Sequence, residues 1–278
     1  DEAVALMKRY RDHYGTRNLK SYIAGTRKQR HYIVEAAQKM QMMPTTEGAL
    51  DMKLDLTHAL DGFHGNEHNL PITPIYKDVV KLVVESGMTY TPTLLVTYGG
   101  PWAENYFYTN LEVNEDPKVK RFIPDNVIQS KTRRVPWFKE DEYAFSRIAA
   151  DAAKIIRAGG LVGVGSHGQL NGPSYHWELW ALHSGGMSNM EALRSATING
   201  AKIIGIAQDI GSIEEGKLAD FVILNSDPLK NIKNSDDIYQ VMKNGVLYDA
   251  SSMDEVYPNS KKRETPWWMD DIPKISNR

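Results

Sequence analysis

The 278-residue chain contains no cysteine, which excludes disulfides, thiolate metal ligands and a cysteine nucleophile. It also lacks an excess of either charge: 33 Lys and Arg against 35 Asp and Glu leave a net charge of -2. A near-neutral surface does not attract nucleic acid or anionic lipid, so neither is expected as the main partner. No apolar run approaches the ~20 residues that span a bilayer, so no membrane span is predicted. There is no charged-then-apolar leader, and Asp1 stands where an initiator Met would be. The chain opens directly on AVALMKRYRDHYG, an amphipathic helix with Val4, Leu6, Met7 and Tyr10 apolar. It therefore reads as a C-terminal portion of something longer. Tandem repeats and low-complexity tracts are also lacking.

What is present is 41% hydrophobic and 24% charged, ordinary for a globular enzyme. Short apolar runs alternate with helical patterns, which predicts α/β architecture with βα units around a parallel sheet. Strands are expected near 19–23, 42–47, 62–68, 88–96 and 161–165, with helices near 27–41, 52–60, 76–86 and 142–158. The segment Gly99 to Asp141, rich in aromatic and charged residues, reads as an elaborated loop. Past Gly205 the texture changes to short strands joined by turns, with Asn244-Gly245 a hairpin signal. The boundaries are set at 1–205, 206–250 and a polar tail 251–278, with Trp267 and Trp268 expected to anchor that tail on the body.

In a parallel βα barrel the reacting groups stand at the C-terminal ends of strands. Those positions hold Lys20, Glu47, the group His64, Glu67 and His68, and then His167 with Gln169. Imidazole and carboxylate together suit zinc and related divalent ions. Each residue also has a plainer reading. Lys20 fits a solvated or ion-paired lysine, Glu47 a helix cap, and His64 and His68 a pair serving only hydrogen bonds. His176 opens HWELW near the expected mouth of the site, whereas His58 sits mid-helix.

Four stretches carry a resemblance to a known family: DGFHGNEHNLPITPIYKDVV, YTPTLLVTYGGPWAENYFY, GVGSHGQLNGPSYHWELW, and EALRSATINGAKIIG with GSIEEGKLADFVILN. The chain resembles the amidohydrolase superfamily, in its imidazolonepropionase- and prolidase-like branch. Within that branch it is similar to the subgroup often joined behind a TolB-type β-propeller. The resemblance implies part of a (β/α)8 TIM barrel, about strands 4 to 8, and the C-terminal part of a small β-sandwich. It implies one or two divalent ions, zinc foremost, that activate water against a carbonyl carbon. Lys20 matches the fourth-strand lysine, which is sometimes carboxylated, and His68 the sixth-strand histidine. Glu47 fills the fifth-strand position, and His167 stands where the eighth-strand aspartate is usual, GSH replacing GTD.

The resemblance thus implies Lys20, Glu47, His68 and His167 as metal ligands, with His167 and His68 catalytic. His64, Tyr98, Gln169 and His176 are implied as substrate contacts. The family's first-strand His-x-His pair occurs nowhere in this chain. The expected partners are a small-molecule or short-peptide substrate and the N-terminal remainder of the same protein, with a TolB-like propeller among the possibilities. Analogy favours a periplasmic or secreted location. The implied function is hydrolysis of a C–N bond in an amide or small peptide. The Asp-to-His change keeps open a catalytically degenerate barrel that binds a ligand or peptide.

Overall fold

Four parallel strands in the order β1-β2-β3-β4 carry the site, each bonded to the next in sequence. The computed structural model describes residues 1–23, 25–133 and 137–270. Helix α1 (Glu2–Tyr14) leads into β1 (Asn18–Lys20), α2 (Arg27–Lys39) and β2 (Met43–Thr46). Then follow α3 (Met52–Asp61), β3 (Gly65–Glu67), α4 (Lys77–Glu85) and β4 (Thr89–Thr91). Helices α2 and α3 begin where the sequence supplies caps. Thr26 and Gln29 form a reciprocal capping box at α2, and the Asp51 carboxylate accepts from Leu54 N (3.1 Å) at α3.

The predicted strand at 88–96 is shorter than expected. Pro92 has no N–H to give to the sheet, Thr93 turns into the left-handed region (φ 46°), and Leu94–Val96 form a 3-10 turn. With β4 ending at Thr91, the predicted fifth strand makes only a bridge, Tyr90 to Val162 in parallel. Its hydrogen bonds are Tyr90 N to Leu161 O (2.9 Å) and Gly163 N to Tyr90 O (3.0 Å).

The segment 99–141 is also not the loop predicted. It contains α5 (Ala103–Asn110), α6 (Pro117–Phe122) and α7 (Asp125–Thr132), and its residues 134–136 lie outside the described residues. Two of its aromatics are core, whereas Trp102, Trp137 and Phe138 stay exposed: Phe107 stacks on Trp177 at 5.5 Å between centroids, and Tyr108 meets the same ring edge-on. Trp177 lies on α9 (Pro173–Ser184), which packs along α8 (Phe145–Arg157). Helix α8 buries Ile148, Ala149, Ala152 and Ile155, small and branched residues at helical spacing. Gly185 permits the close approach, because a Cβ there would lie 2.2 Å from the Ala149 carbonyl carbon.

After α10 (Asn189–Ser195) and α11 (Ile198–Ile203) comes a second, antiparallel sheet. Its strands β5 (Phe221–Leu224), β6 (Ile238–Lys243), β7 (Val246–Asp249) and β8 (Glu255–Tyr257) pair in sequence order. Asn244 and Gly245, both at positive φ, turn β6 into β7 as a two-residue hairpin. Trp267 does not anchor the tail. It is 72% exposed and meets Trp268 edge-on at 5.7 Å; the tail's last residues, 271–278, lie outside the described residues. No described helix is long and apolar enough to cross a membrane.

Candidate active site

Strand register builds the site. Lys20 pairs with Thr45, Thr45 with Gly65, and Glu67 with Thr91. Side chains two residues apart on a strand share a face, so Lys20, Thr45, Glu67 and Thr91 point to the same side of the sheet. These residues line a cleft of about 430 Å³ together with His68 and His167.

Glu47 lies under the cleft floor, 1% exposed. Its Oε2 is 2.6 Å from Lys20 Nζ and 3.4 Å from His68 Nε2, yet receives no well-directed hydrogen bond. Its Oε1 accepts from the Tyr98 hydroxyl at 3.2 Å. Lys20 Nζ also stands 2.9 Å from Glu67 Oε2, and Thr45 Oγ1 donates to Glu67 Oε1 at 2.6 Å. The ammonium thus bridges two carboxylates.

The charges follow from these contacts. Burial opposes ionisation of Glu47, but the Lys20 ammonium, the His68 imidazole and the Tyr98 hydroxyl outweigh it and hold its pKa below the ordinary value. Burial likewise opposes a charged Lys20, and the two carboxylates overcome it, raising its pKa. Burial lowers the pKa of His68 despite Glu47, so its ring is neutral at neutral pH, the form that binds metals. Burial, then the Glu47 charge, pushes the Tyr98 phenol up to about 12, which leaves it a hydroxyl donor.

His68 is fixed on three sides. Thr93 Oγ1 lies 2.7 Å from Nδ1, the Tyr98 ring stacks at 5.0 Å, and the His167 ring stands 5.2 Å away. The backbone here is strained: His68, Thr93, Ser166 and His167 all have positive φ, which is a genuine outlier for the β-branched Thr93. Two buried carboxylates hold the loops in that form. Glu178 on α9 accepts from Leu94 N (2.7 Å) and Leu95 N (2.9 Å), and Glu104 on α5 accepts from Gln169 N (2.5 Å). Burial pushes Glu178 up to about 8, against the pull of its two N–H donors.

Among the predicted residues, Lys20, Glu47, His68, His167 and Tyr98 come together. The other three are placed elsewhere. His64 Nε2 meets the Ile203 carbonyl at 2.8 Å, and the Gln169 side chain accepts from Lys131 at 2.7 Å. His176 lines a different, mainly apolar cavity of about 490 Å³ between α5–α6, α9 and the second sheet, with Nδ1 3.1 Å from Ser235 Oγ. Sequence reasoning missed the supporting roles of Thr93, Glu104 and Glu178. A signal was available for the acids: each stands inside an aromatic helical run, WAENYFY or HWELW, where only a buried, partnered carboxylate fits.

The donor types fit a divalent ion. Glu47 Oε2 is buried without a directed donor, and Thr93 ties His68 Nδ1, leaving Nε2 toward Glu47. The number of donors is smaller than a complete set, since no three His, Asp or Glu side chains among the described residues gather to hold a metal ion.

Comparison with known proteins agrees with this geometry. The model of the amidohydrolase family matches residues 26–248. Imidazolonepropionase of Symbiobacterium thermophilum is 40% identical over 82 residues, covering 28% of this chain and 19% of that protein. The Porphyromonas gingivalis imidazolonepropionase is 30% identical over 145 residues, covering 52% and 33%. Ochratoxinase of Aspergillus niger is 30% identical over 116 residues, covering 40% and 24%. The chain therefore spans about a fifth to a third of these relatives' lengths. Among solved structures, a Xaa-Pro dipeptidase with methionine in its active site superposes with TM-score 0.59 at 24% identity, covering 89% of this chain and 58% of that one. Molinate hydrolase gives 0.64 at 18% identity, covering 100% and 58%. These likenesses show the fold: the parallel strands and their helices are part of a TIM barrel, with an antiparallel sheet appended. With its site at the strand ends and the family model covering most of its length, the chain belongs to the amidohydrolase family.

Proposed function

We propose that the protein is a metal-dependent hydrolase of a C–N bond in a small amide or dipeptide. The observation that carries this reading is the meeting of Glu47 Oε2 and His68 Nε2 at 3.4 Å, at the strand ends of an amidohydrolase fold. The relatives' names, imidazolonepropionase, ochratoxinase and Xaa-Pro dipeptidase, support a small amide-type substrate. Glu47 and His68 would supply part of the ion's ligand set, zinc foremost, with Lys20 joining them only after losing its proton or being carboxylated and the remaining ligands coming from outside the described residues. When bound, such an ion polarises a carbonyl and makes water acidic. The chain's own groups do the rest. Tyr98 holds the Glu47 carboxylate by its other oxygen, Thr93 orients His68, and His167 stands beside His68 to take a proton at a ring nitrogen. That the chain covers 58% of its structural neighbours supports an N-terminal remainder of the same protein as partner, with a TolB-type propeller and export also proposed.

The test is turnover on a panel of cyclic amides, N-acyl amino acids and Xaa-Pro dipeptides with added zinc. We expect hydrolysis by the wild type and a loss of about a thousandfold or more in His68→Ala. A second reading, a binding module that has lost catalysis, is favoured by one observation, His167 in place of a carboxylate. Saturable binding of a panel member without turnover would select it.

A further inference from the structure

We propose that the cavity between α6, α9 and the antiparallel sheet is a second binding site, for a neutral aromatic molecule that carries a carbonyl group. It shares no lining residue with the strand-end cleft. At about 490 Å³ it has the size of a small-ligand site. Its aromatic walls are already fixed. Trp177 is held by the stacked Phe107 ring and by Tyr108, and Trp180 by its indole N–H, which donates to Ser235 Oγ at 3.0 Å. With that N–H satisfied, Trp180 offers the cavity ring surface, and Phe122 and Val241 extend the apolar lining.

One polar group in this lining keeps a free atom. Ser235 Oγ also lies 3.1 Å from His176 Nδ1. The indole can only donate, so it takes a lone pair of Oγ, and the Ser235 proton has one acceptor among the described residues, His176 Nδ1. The imidazole proton therefore sits on Nε2, which has no hydrogen-bond partner among the described residues. Burial, then the Lys118 charge, pushes the His176 pKa down to about 4, so the ring stays a neutral donor. The rim sets the charge of the ligand. Exposed Glu112, Asp116 and Asp236 stand against one ammonium, Lys118, which donates to the Ile238 carbonyl at 3.0 Å. Such a rim disfavours an anion, whereas a ketone, ester or amide oxygen fits the His176 Nε2–H.

The probe is 6-propionyl-2-dimethylaminonaphthalene, a neutral ketone whose emission moves to the blue in apolar surroundings and back when its carbonyl accepts a hydrogen bond. Its control is the 6-propyl analogue, which lacks the carbonyl. Both are titrated into wild type, His176→Phe, Val241→Phe and His68→Ala, with binding read from quenching of tryptophan emission. We expect saturable binding of the ketone to the wild type, unchanged in His68→Ala and weakened about tenfold or more in Val241→Phe, which fills the cavity. In His176→Phe the ketone should bind about three- to tenfold more weakly and emit further to the blue, while the analogue binds as it does to the wild type. Absence of saturable ketone binding, or equal binding in Val241→Phe, overturns the proposal. Binding lost in His68→Ala puts the probe in the strand-end cleft and also overturns it. Equal effects of His176→Phe on the two probes remove the carbonyl from the ligand class and overturn the proposal as stated. If Val241→Phe does not fold, the two probes on His176→Phe decide alone.

Discussion

Lys20 and Glu47 form an ion pair of unequal exposure: the ammonium nitrogen stands 2.6 Å from a carboxylate oxygen whose residue is almost wholly buried, while the lysine side chain is 36% exposed. The pair is the charge balance of the cleft. Without the lysine, Glu47 would keep a buried charge facing only the Tyr98 hydroxyl and a neutral imidazole, with Glu67 nearby.

Lys20→Met is therefore expected to lower stability at pH 7. A buried pair broken on one side can cost 3–5 kcal/mol, but water screens the lysine here, so about 1–2 kcal/mol is the expected loss. The sign with pH follows from the two shifts. Glu47 has a depressed pKa, so its contribution is present above the ordinary carboxylate value and is lost as pH falls through the folded value. Lys20 has a raised pKa, so its contribution holds below the ordinary lysine value and is lost in strong base. Urea denaturation of wild type and variant should show a gap that is constant near neutrality and closes in acid below Glu47's folded pKa. An unchanged gap at pH 3 would contradict this assignment.

Asp55 and His58 on α3 are buried; the His58 ring nitrogens have no hydrogen-bond partner among the described residues, and the Asp55 carboxylate has only the Gly48 backbone N–H near it, poorly directed. Burial pushes Asp55 up to about 7 and His58 down to about 4. Folded Asp55 keeps its proton where the unfolded chain has lost it, so it costs stability increasingly as pH rises from about 4 to 7. His58 acts in the opposite sense, costing stability as pH falls from about 6.5 to 4. Asp55→Asn removes only the first effect. Its stability relative to wild type should grow between pH 4 and 7 by up to the order of 4 kcal/mol, measured by chemical denaturation across that range. A difference that is flat with pH would show that Asp55 ionises normally.

Gly168 lies next to His167 where there is no room for a side chain. A Cβ there would stand 2.1 Å from both side-chain atoms of Ser174 and 2.8 Å from Leu95. Gly168→Ala should cost about 1–3 kcal/mol in thermal or urea unfolding and move the His167 loop, lowering kcat more than it raises KM. Gly168→Ala in a Ser174→Gly background should recover most of both. If it recovers neither, the contact does not hold the loop.

These predictions differ in how far the sequence alone could have led to them. The βα alternation was legible because short strand segments alternate with helices whose starts the sequence marks, as Thr26 does at α2 and Asp51 at α3, and the resemblance led to Glu47 and His68. The end of β4 was not. Thr89 to Val96 reads as one β-prone run, and what stops it after Thr91 includes Pro92, a left-handed Thr93 and a carboxylate 84 residues away at Glu178. Segment 99–141 misled for a similar reason. It read as an elaborated loop, but Phe107 and Tyr108 on its first helix meet Trp177 across the fold and join the core. The carboxylate-bridging role of Lys20 was equally hidden, because only the register of β1, β2 and β3 brings Glu67 opposite Glu47. Local pattern sets the elements, while contacts far apart in sequence set where they end and which polar groups meet.

The central claim is that Glu47 and His68 belong to a metal centre, and zinc content of the purified protein tests it most directly. Elemental mass spectrometry should find about one ion or more per chain in the wild type, and background only in His68→Ala and in a chelator-treated control. Background zinc in the wild type, or the same zinc in His68→Ala, would contradict the account.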